Sequence, residues 1–351
     1  MTNAVFVQLA KTVKTDAEIE KEHSPEFRVI RTNGASIGIA HVGEYDSEGF
    51  IRACRGNEIV LCGGNPPMSA QTIAEIHDTK LFIRYGIGID SFDFEACTQF
   101  EKIVYYMPGY CSEELAEHAL SMILGLLRNT VYYDRGMRSG LFPKAAGPAP
   151  RRLGNLILGL FGMGNSARHL SAIVKGGFGS RVIGCDPYLD DKAFDALGIR
   201  HVSFDELLHE ADIISIHAPL TEETRHIFNK EAFKAMRSDA IVINTSRGAL
   251  INTEDLIEAL TSKEIGGAGL DVFEREPVDL RLGLGELDNV VLTPHSAYYG
   301  KESALTQSRL ASKFAEHWLK DRTINRRYIA NKNVLERFST EGIRIIEEDW
   351  L

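Results

Sequence analysis

From residue 156 onward the chain repeats one pattern: an apolar run, a polar or glycine-rich turn, and then a segment of helical period. The runs are LILGLF (156–161), RVIGCD (181–186), DIISIH (212–217), AIVINT (240–245), GGAGLD (266–271) and NVVLTP (289–294). They are near-continuous Val, Ile and Leu without polar alternation, which is how parallel strands read when helices cover both faces. Six such runs separated by helical segments predict βαβ units and an α/β fold with a doubly wound parallel sheet of Rossmann type. Right-handed crossovers place all the carboxyl ends of those strands on one edge, and ligands of such sheets bind there.

The first third shows a weaker version of the same alternation: EIVLCGG (58–64), a helical stretch from near Ser69, KLFIRYG (80–86) and KIVYYMPGY (102–110). A second, smaller α/β unit follows. Next, EELAEHALSMILGLLRN (113–129) puts Leu115, Ala119, Met122 and Leu126 on one helical face, so a long core helix is expected. LFPKAAGPAPRRLG (141–154) reads as a connecting loop and KESALTQSRLASKFAEHWLK (301–320) as a helix, while the tail after residue 325 carries no readable motif. At 351 residues the chain exceeds the roughly 250–300 residues at which one core stops growing, so two domains are expected.

Composition narrows the partner. With 44% hydrophobic and 25% charged residues the chain can bury a core, and a formal charge of -10 argues against surfaces that bind nucleic acid or anionic membrane. A small molecule is the expected ligand. The five cysteines, at 54, 62, 97, 111 and 185, form no C-x-x-C pair and are odd in number, which disfavours a disulfide framework or a zinc site and fits a reducing cytoplasm. The N-terminus lacks the charged start and apolar core of a signal peptide, and the longest apolar stretch, LSMILGLL (120–127), is shorter than the roughly 20 residues of a membrane span.

Candidate chemistry collects at the strand ends. In LGLFGMGNSARHL, Gly162, Gly164 and Ala167 fit G-x-G-x-x-A between a strand and a helix. The first glycine permits the turn, the second lets backbone approach a pyrophosphate, and the small third residue allows close packing of the helix. Asp186 closes the second strand, where an acid accepts hydrogen bonds from an adenosine ribose. Pro187 and Tyr188 follow in place of an arginine that would bind a 2'-phosphate, which favours NAD; Lys192 leaves NADP open.

Arg247 in NTSRG, Glu276 in GLDVFEREP and His295 in LTPHSA follow three later strands. Taken singly they read as a surface charge, a solvated turn and a core histidine. Taken together they converge on the ligand edge as a carboxylate anchor, a proton donor and a partner for that donor, the set that reduction of a 2-oxo acid requires.

These motifs, GMGNSA, CDP, SIHAPLTEETRHIFN, NTSRGALI, GLDVFEREP and LTPHSA in this order, resemble the D-isomer-specific 2-hydroxyacid dehydrogenases. The resemblance covers nearly the whole chain and is most specific from about residue 100 to 300; RYGIGID (84–90) resembles the family's substrate loop. It implies that Arg247 grips the substrate carboxylate, that His295 is the general acid or base, and that Glu276 is its partner. It also implies NAD contacts from Met163, Asn165 and Ser166 in the glycine loop, and from Ala218, Pro219, Thr224, Thr245, Ser246, Asp271 and Ala297. The backbone of Ile87 and Gly88 is implied at the carboxylate, with Arg84 and Tyr85 candidates for the pocket wall.

The resemblance further implies a discontinuous flavodoxin-like substrate domain (1–107 and 298–351) around an NAD-binding domain (108–297), hinges near Pro108 and Tyr298, cleft closure and a homodimer. Two departures, the proline-rich loop at 142–150 and the tail after 325, bear on the pocket walls and subunit contacts. The substrate stays open among phosphoglycerate, glyoxylate, hydroxypyruvate and bulkier 2-oxo acids. One competing reading is a dinucleotide-sensing corepressor, because HSAYYGKES (295–303) also resembles the C-terminal-binding proteins. Another, formate dehydrogenase, is disfavoured by Glu276, where that family pairs its histidine with glutamine.

Overall fold

Apolar strands covered on both faces should alternate their side chains between two cores, and the larger sheet does so. The computed structural model describes residues 4–8, 38–41, 47–63, 68–142, 147, 149–337 and 342–351. The chain divides into two compact units, Cys111–Gly300 and a discontinuous one, Met1–Tyr110 with Lys301–Leu351.

The discontinuous unit holds β1 (Ala4–Gln8), β2 (Gly38–His41), β3 (Ile59–Cys62), β4 (Leu81–Arg84) and β5 (Ile103–Tyr105). They form one sheet in the order β2-β1-β3-β4-β5, parallel throughout. This is the flavodoxin-like order. The helical stretch expected near Ser69 is Ala70–Ala74, with the Ser69 hydroxyl accepting the Thr72 N–H as N-cap. Gly64, at the end of the run EIVLCGG, lies outside the described residues.

The other unit holds β6 (Ile157–Phe161), β7 (Arg181–Cys185), β8 (Arg200–His201), β9 (Ile213–Ile216), β10 (Ile241–Asn244), β11 (Gly267–Leu270) and β12 (Val290–Leu292). All seven are parallel, in the order β12-β11-β10-β9-β6-β7-β8, so the chain reverses its direction of travel between β6 and β9. In β9 and β10, Ile213, Ile241 and Ile243 join the core formed with helices Ser112–Leu127 and Asn165–Phe178. Ile214, Ile216 and Val242 join the opposite core, with Phe204–Glu210, Lys230–Ala235 and Thr253–Thr261.

Two features were not evident in the sequence pattern. One is β8, a polar edge strand of two residues. The other completes the discontinuous unit: β13 (Thr323–Asn325) pairs in parallel with β14 (Arg344–Ile346), which gives the C-terminal tail a docking strand. Beyond it, Trp350 stacks on Tyr328 with ring centroids 5.9 Å apart and donates its backbone N–H to the Tyr328 hydroxyl at 2.7 Å. The long helix Lys301–Asp321 meets β5 through Phe314 and Tyr105, whose ring centroids are 4.5 Å apart. Residues 143–146 and 148 of the proline-rich loop, and 338–341 of the tail, lie outside the described residues.

Candidate active site

Because all seven strands run parallel, the residue that follows each one lies on the same sheet edge. Gly162 follows β6, Asp186 follows β7, His217 follows β9, Thr245 follows β10, Asp271 follows β11 and Thr293 follows β12.

The glycine loop is shaped as a cradle. Gly162 has φ +88, and a Cβ there would lie 2.8 Å from the Ala218 nitrogen and 2.9 Å from the His217 carbonyl carbon. Both the backbone conformation and the space demand glycine. Gly164 is the N-cap of Asn165–Phe178 with no side-chain cap bond, and nothing lies within 4 Å of where its Cβ would be. The first N–H groups of that helix are therefore presented without a side-chain acceptor, as a phosphate requires.

Asp186 Oδ2 accepts the Met163 N–H at 2.9 Å and Oδ1 the Tyr188 N–H at 3.0 Å, which ties the acid to the glycine loop. A carboxylate oxygen has more than one acceptor site, so ribose hydroxyls can still bind. A cradle without side chains, an uncapped helix start and an acid on the neighbouring strand together fit a dinucleotide.

Histidine 217 was not singled out in the sequence. Its ring bridges Ser166 Oγ and Ser215 Oγ, each 2.9 Å away, and so links the glycine loop to β9. Burial pushes its pKa down to about 4, keeping the ring neutral behind the loop.

On the other half of the edge, the fully buried Asn244 ends β10 and folds the turn that follows. Its Nδ2 donates to the Arg247 carbonyl at 2.8 Å and its Oδ1 accepts the Ser246 N–H at 3.0 Å. Ser246 Oγ donates to the Ile216 carbonyl at 2.8 Å. Arg247 is extended and half-buried, and its Nη1 donates to the Ser246 carbonyl at 2.8 Å.

His295 Nδ1 lies 2.7 Å from Glu276 Oε2, and Glu276 Oε1 accepts the Phe273 N–H at 3.0 Å. Partial burial raises the Glu276 carboxyl, but its bonds to His295 and Phe273 outweigh that and hold it below the ordinary carboxylate range. His295 has φ 52, a left-handed conformation that a non-glycine residue keeps only when its surroundings impose it. Asp271 supplies the constraint. Its carbonyl accepts the His295 N–H at 2.7 Å, and its fully buried carboxylate gathers Thr293 Oγ1 at 2.5 Å, the Ser296 N–H at 2.8 Å and the Ala297 N–H at 2.9 Å. His118 Nε2, from the helix Ser112–Leu127, reaches Thr293 Oγ1 at 2.9 Å.

Two of the other expected site residues, Thr224 and Arg84, brace turns in this structure, and a third, Tyr85, bonds a distant helix. The Thr224 hydroxyl donates to the Pro219 carbonyl at 2.8 Å and accepts the Thr221 N–H at 2.8 Å, folding the turn after β9. In the discontinuous unit, Arg84 Nε donates to the Gly88 carbonyl at 2.6 Å and Nη1 to the Cys62 and Tyr85 carbonyls, each at 3.3 Å. That guanidinium braces the turn holding Ile87 and Gly88. The Tyr85 hydroxyl lies 2.6 Å from Ser308 Oγ.

A doubly wound sheet with a glycine cradle and an acid at its switch edge defines a dinucleotide-binding protein. The D-isomer specific 2-hydroxyacid dehydrogenase NAD-binding domain matches residues 120–297. The chain is 35% identical over 255 residues to a glyoxylate reductase of Korarchaeum cryptofilum, covering 72% of this chain and 75% of that one. It is 35% identical over 266 residues to a hydroxypyruvate reductase of Thermotoga maritima, covering 75% and 84%. Among solved structures, an Aquifex aeolicus D-lactate dehydrogenase complexed with NAD and lactic acid matches with TM-score 0.76 and 26% identity, over 91% of this chain and 96% of that one. The chain belongs to the D-isomer specific 2-hydroxyacid dehydrogenase family. It is an NAD-dependent oxidoreductase that moves a hydride between a 2-hydroxy acid and a 2-oxo acid.

Proposed function

We propose that the chain reduces small 2-oxo acids of the glyoxylate and hydroxypyruvate type, with Arg247 as carboxylate anchor, His295 as acid and base, and Glu276 as its partner. The observation that carries this is the 2.7 Å bond between His295 Nδ1 and Glu276 Oε2. With Nδ1 committed to a carboxylate, Nε2 is the ring nitrogen left for substrate, and it makes no hydrogen bond among the described residues. The substrate class is supported by the two reductases at 35% identity.

NAD, when bound, supplies the hydride acceptor, and NADH the donor. Arg247 presents a planar guanidinium that can pair two N–H groups with a carboxylate. His295 gives a proton to the carbonyl oxygen as negative charge develops there, and removes it in the reverse direction. Glu276 fixes the ring by its Nδ1. Gly162, Met163, Gly164, Asn165 and Ser166 hold the pyrophosphate and Asp186 the ribose, with Ala218, Pro219, Thr224, Thr245, Ser246, Asp271 and Ala297 along the cofactor. The discontinuous unit is the substrate-binding domain, and Arg84 shapes the turn that holds Ile87 and Gly88.

The test is NADH oxidation followed at 340 nm with a panel of 2-oxo acids. Turnover is expected with glyoxylate and hydroxypyruvate. Tight NADH binding without turnover of any 2-oxo acid would overturn the reading in favour of a corepressor-like binding role.

A homodimer is part of the proposal. Helix Thr130–Arg138 buries none of its residues, and Met137, Leu141 and Phe142 are 53%, 64% and 76% exposed. Water-facing side chains of that size on consecutive segments are what a self-association surface presents. Light scattering after gel filtration is expected to give a dimer for the wild type and a monomer for Leu141→Asp/Phe142→Asp; a monomeric wild type would refute it. No described helix is long and apolar enough to cross a membrane. The five cysteines are free and buried, which supports a reducing cytoplasmic location.

A further inference from the structure

A second histidine–glutamate pair stands beside the first. His226 Nε2 and Glu274 Oε1 are 2.5 Å apart and 48 residues apart in sequence. The other carboxylate oxygen, Oε2, accepts the Thr253 N–H at 2.8 Å. His226 has φ 52, and its own N–H donates to the Ala249 carbonyl at 2.8 Å. Phe228 continues the seam, donating to the Leu250 carbonyl at 3.1 Å and accepting the Asn252 N–H at 3.0 Å. Three segments are thus fastened together: the loop after β9, the loop after β10 that carries Arg247, and the loop after β11 that carries Glu276.

The second and third of these also touch with no slack. A Cβ on Gly248, the residue after Arg247, would lie 1.9 Å from the Phe273 carbonyl carbon and 2.4 Å from the Glu274 nitrogen. The crevice that Asn244, Gly248, Phe273 and Glu274 help line has a volume of only about 10 Å³. In so dense a setting a shift of the Phe273–Glu274 peptide is passed on to its neighbours rather than absorbed.

An ordinary surface ion pair is worth roughly 0–1 kcal/mol and fixes little. This one differs in its geometry, because Glu274 uses both carboxylate oxygens to hold groups from two different loops. A side-chain amide has one acceptor oxygen and cannot reproduce that. Burial raises the Glu274 carboxyl, yet the Thr253 and His226 bonds outweigh it and keep the group below the ordinary carboxylate range.

We propose that His226 and Glu274 are positioning residues whose bonds to each other, to the Ala249 carbonyl and to the Thr253 N–H together set the spacing between the Arg247 loop and the Glu276 loop, and so align the carboxylate anchor with the acid–base pair. The inference rests on the roles assigned above to Arg247, Glu276 and His295.

Steady-state kinetics with glyoxylate, NADH affinity from fluorescence titration and a thermal melt test it together. His226→Ala and Glu274→Gln are each expected to lower kcat/KM about tenfold, with NADH affinity within about twofold of wild type. The double variant should lose no more than the worse single, as coupled residues do. His226→Gln keeps a donor near the Nε2 position and should recover kcat/KM to within about threefold of wild type.

Wild-type kcat and KM in both single variants, with only the melting temperature lowered, would overturn the proposal, as would fully additive losses. Should His226→Ala fail to fold, the near-isosteric Glu274→Gln decides. Arg247→Lys is measured alongside. Wild-type kinetics there would strike the site assignment itself, whereas a crippled Arg247→Lys beside unaffected His226 and Glu274 variants would strike only the positioning role.

Discussion

Replacing Arg247 with lysine is expected to lower kcat/KM for 2-oxo acid reduction about a hundredfold, while NADH affinity stays within about twofold of wild type. Lysine keeps the charge but offers a point donor, so the loss isolates the planar pairing with a carboxylate. The turn itself should survive, because it is built from Asn244: the amide holds the Arg247 carbonyl and the Ser246 N–H, neither of which depends on the residue-247 side chain. Unchanged kcat/KM for Arg247→Lys would remove the residue from substrate binding.

The second large effect concerns the acid–base pair. In His295→Asn the amide can still donate to Glu276 from near the Nδ1 position, but the group that Nε2 provides is gone. A fall in kcat of about 10²–10⁴-fold is expected. Glu276→Gln tests the partner separately through pH. The folded carboxyl of Glu276 lies below its ordinary range, so its charge is present above that range and is lost only as pH falls through the depressed value.

The wild-type pH–rate profile for reduction should accordingly keep its activity down to below the usual carboxylate range. In Glu276→Gln that acidic limb should vanish, with a rate loss of roughly tenfold to a hundredfold from the missing charged acceptor. An identical acidic limb in the variant would show that Glu276 does not partner His295.

Local signals explain why some elements were readable and others were not. Strands β9 and β10 are short runs, three of four residues isoleucine or valine, with every residue buried, which is how strands covered on both faces read. The glycine loop was legible because its chemistry is contiguous in sequence: three small residues at fixed spacing at the start of a helix. By contrast, β8 is Arg200–His201, an edge strand whose residues need no apolar face, so it left no pattern. The tail strand Arg344–Ile346 is similarly exposed; it pairs with Thr323–Asn325, and Trp350 beyond it packs on Phe314 and Tyr328, contacts that no local pattern announces.

Arg84 shows the opposite limit. Its place in RYGIGID suggested a pocket wall, yet its guanidinium bonds the carbonyls of Cys62, Tyr85 and Gly88. Carbonyls of a tight turn need hydrogen-bond partners, and a nearby arginine helps meet that demand. His217 and His226 both sit inside a motif that the sequence displayed, but their roles come from partners at Ser166 and Glu274, 51 and 48 residues away.

By itself, then, the order of residues determined which segments become buried parallel strands and which side chains follow each strand end, because those properties depend on local hydrophobic period and turn chemistry. Only the folded chain decided which of those side chains meet, that Asp271 holds His295 in a left-handed turn, and that a second histidine–glutamate bond fastens the loops. The physical reason is that hydrogen-bond partners across loops are chosen by strand order and packing, which no short stretch of sequence contains.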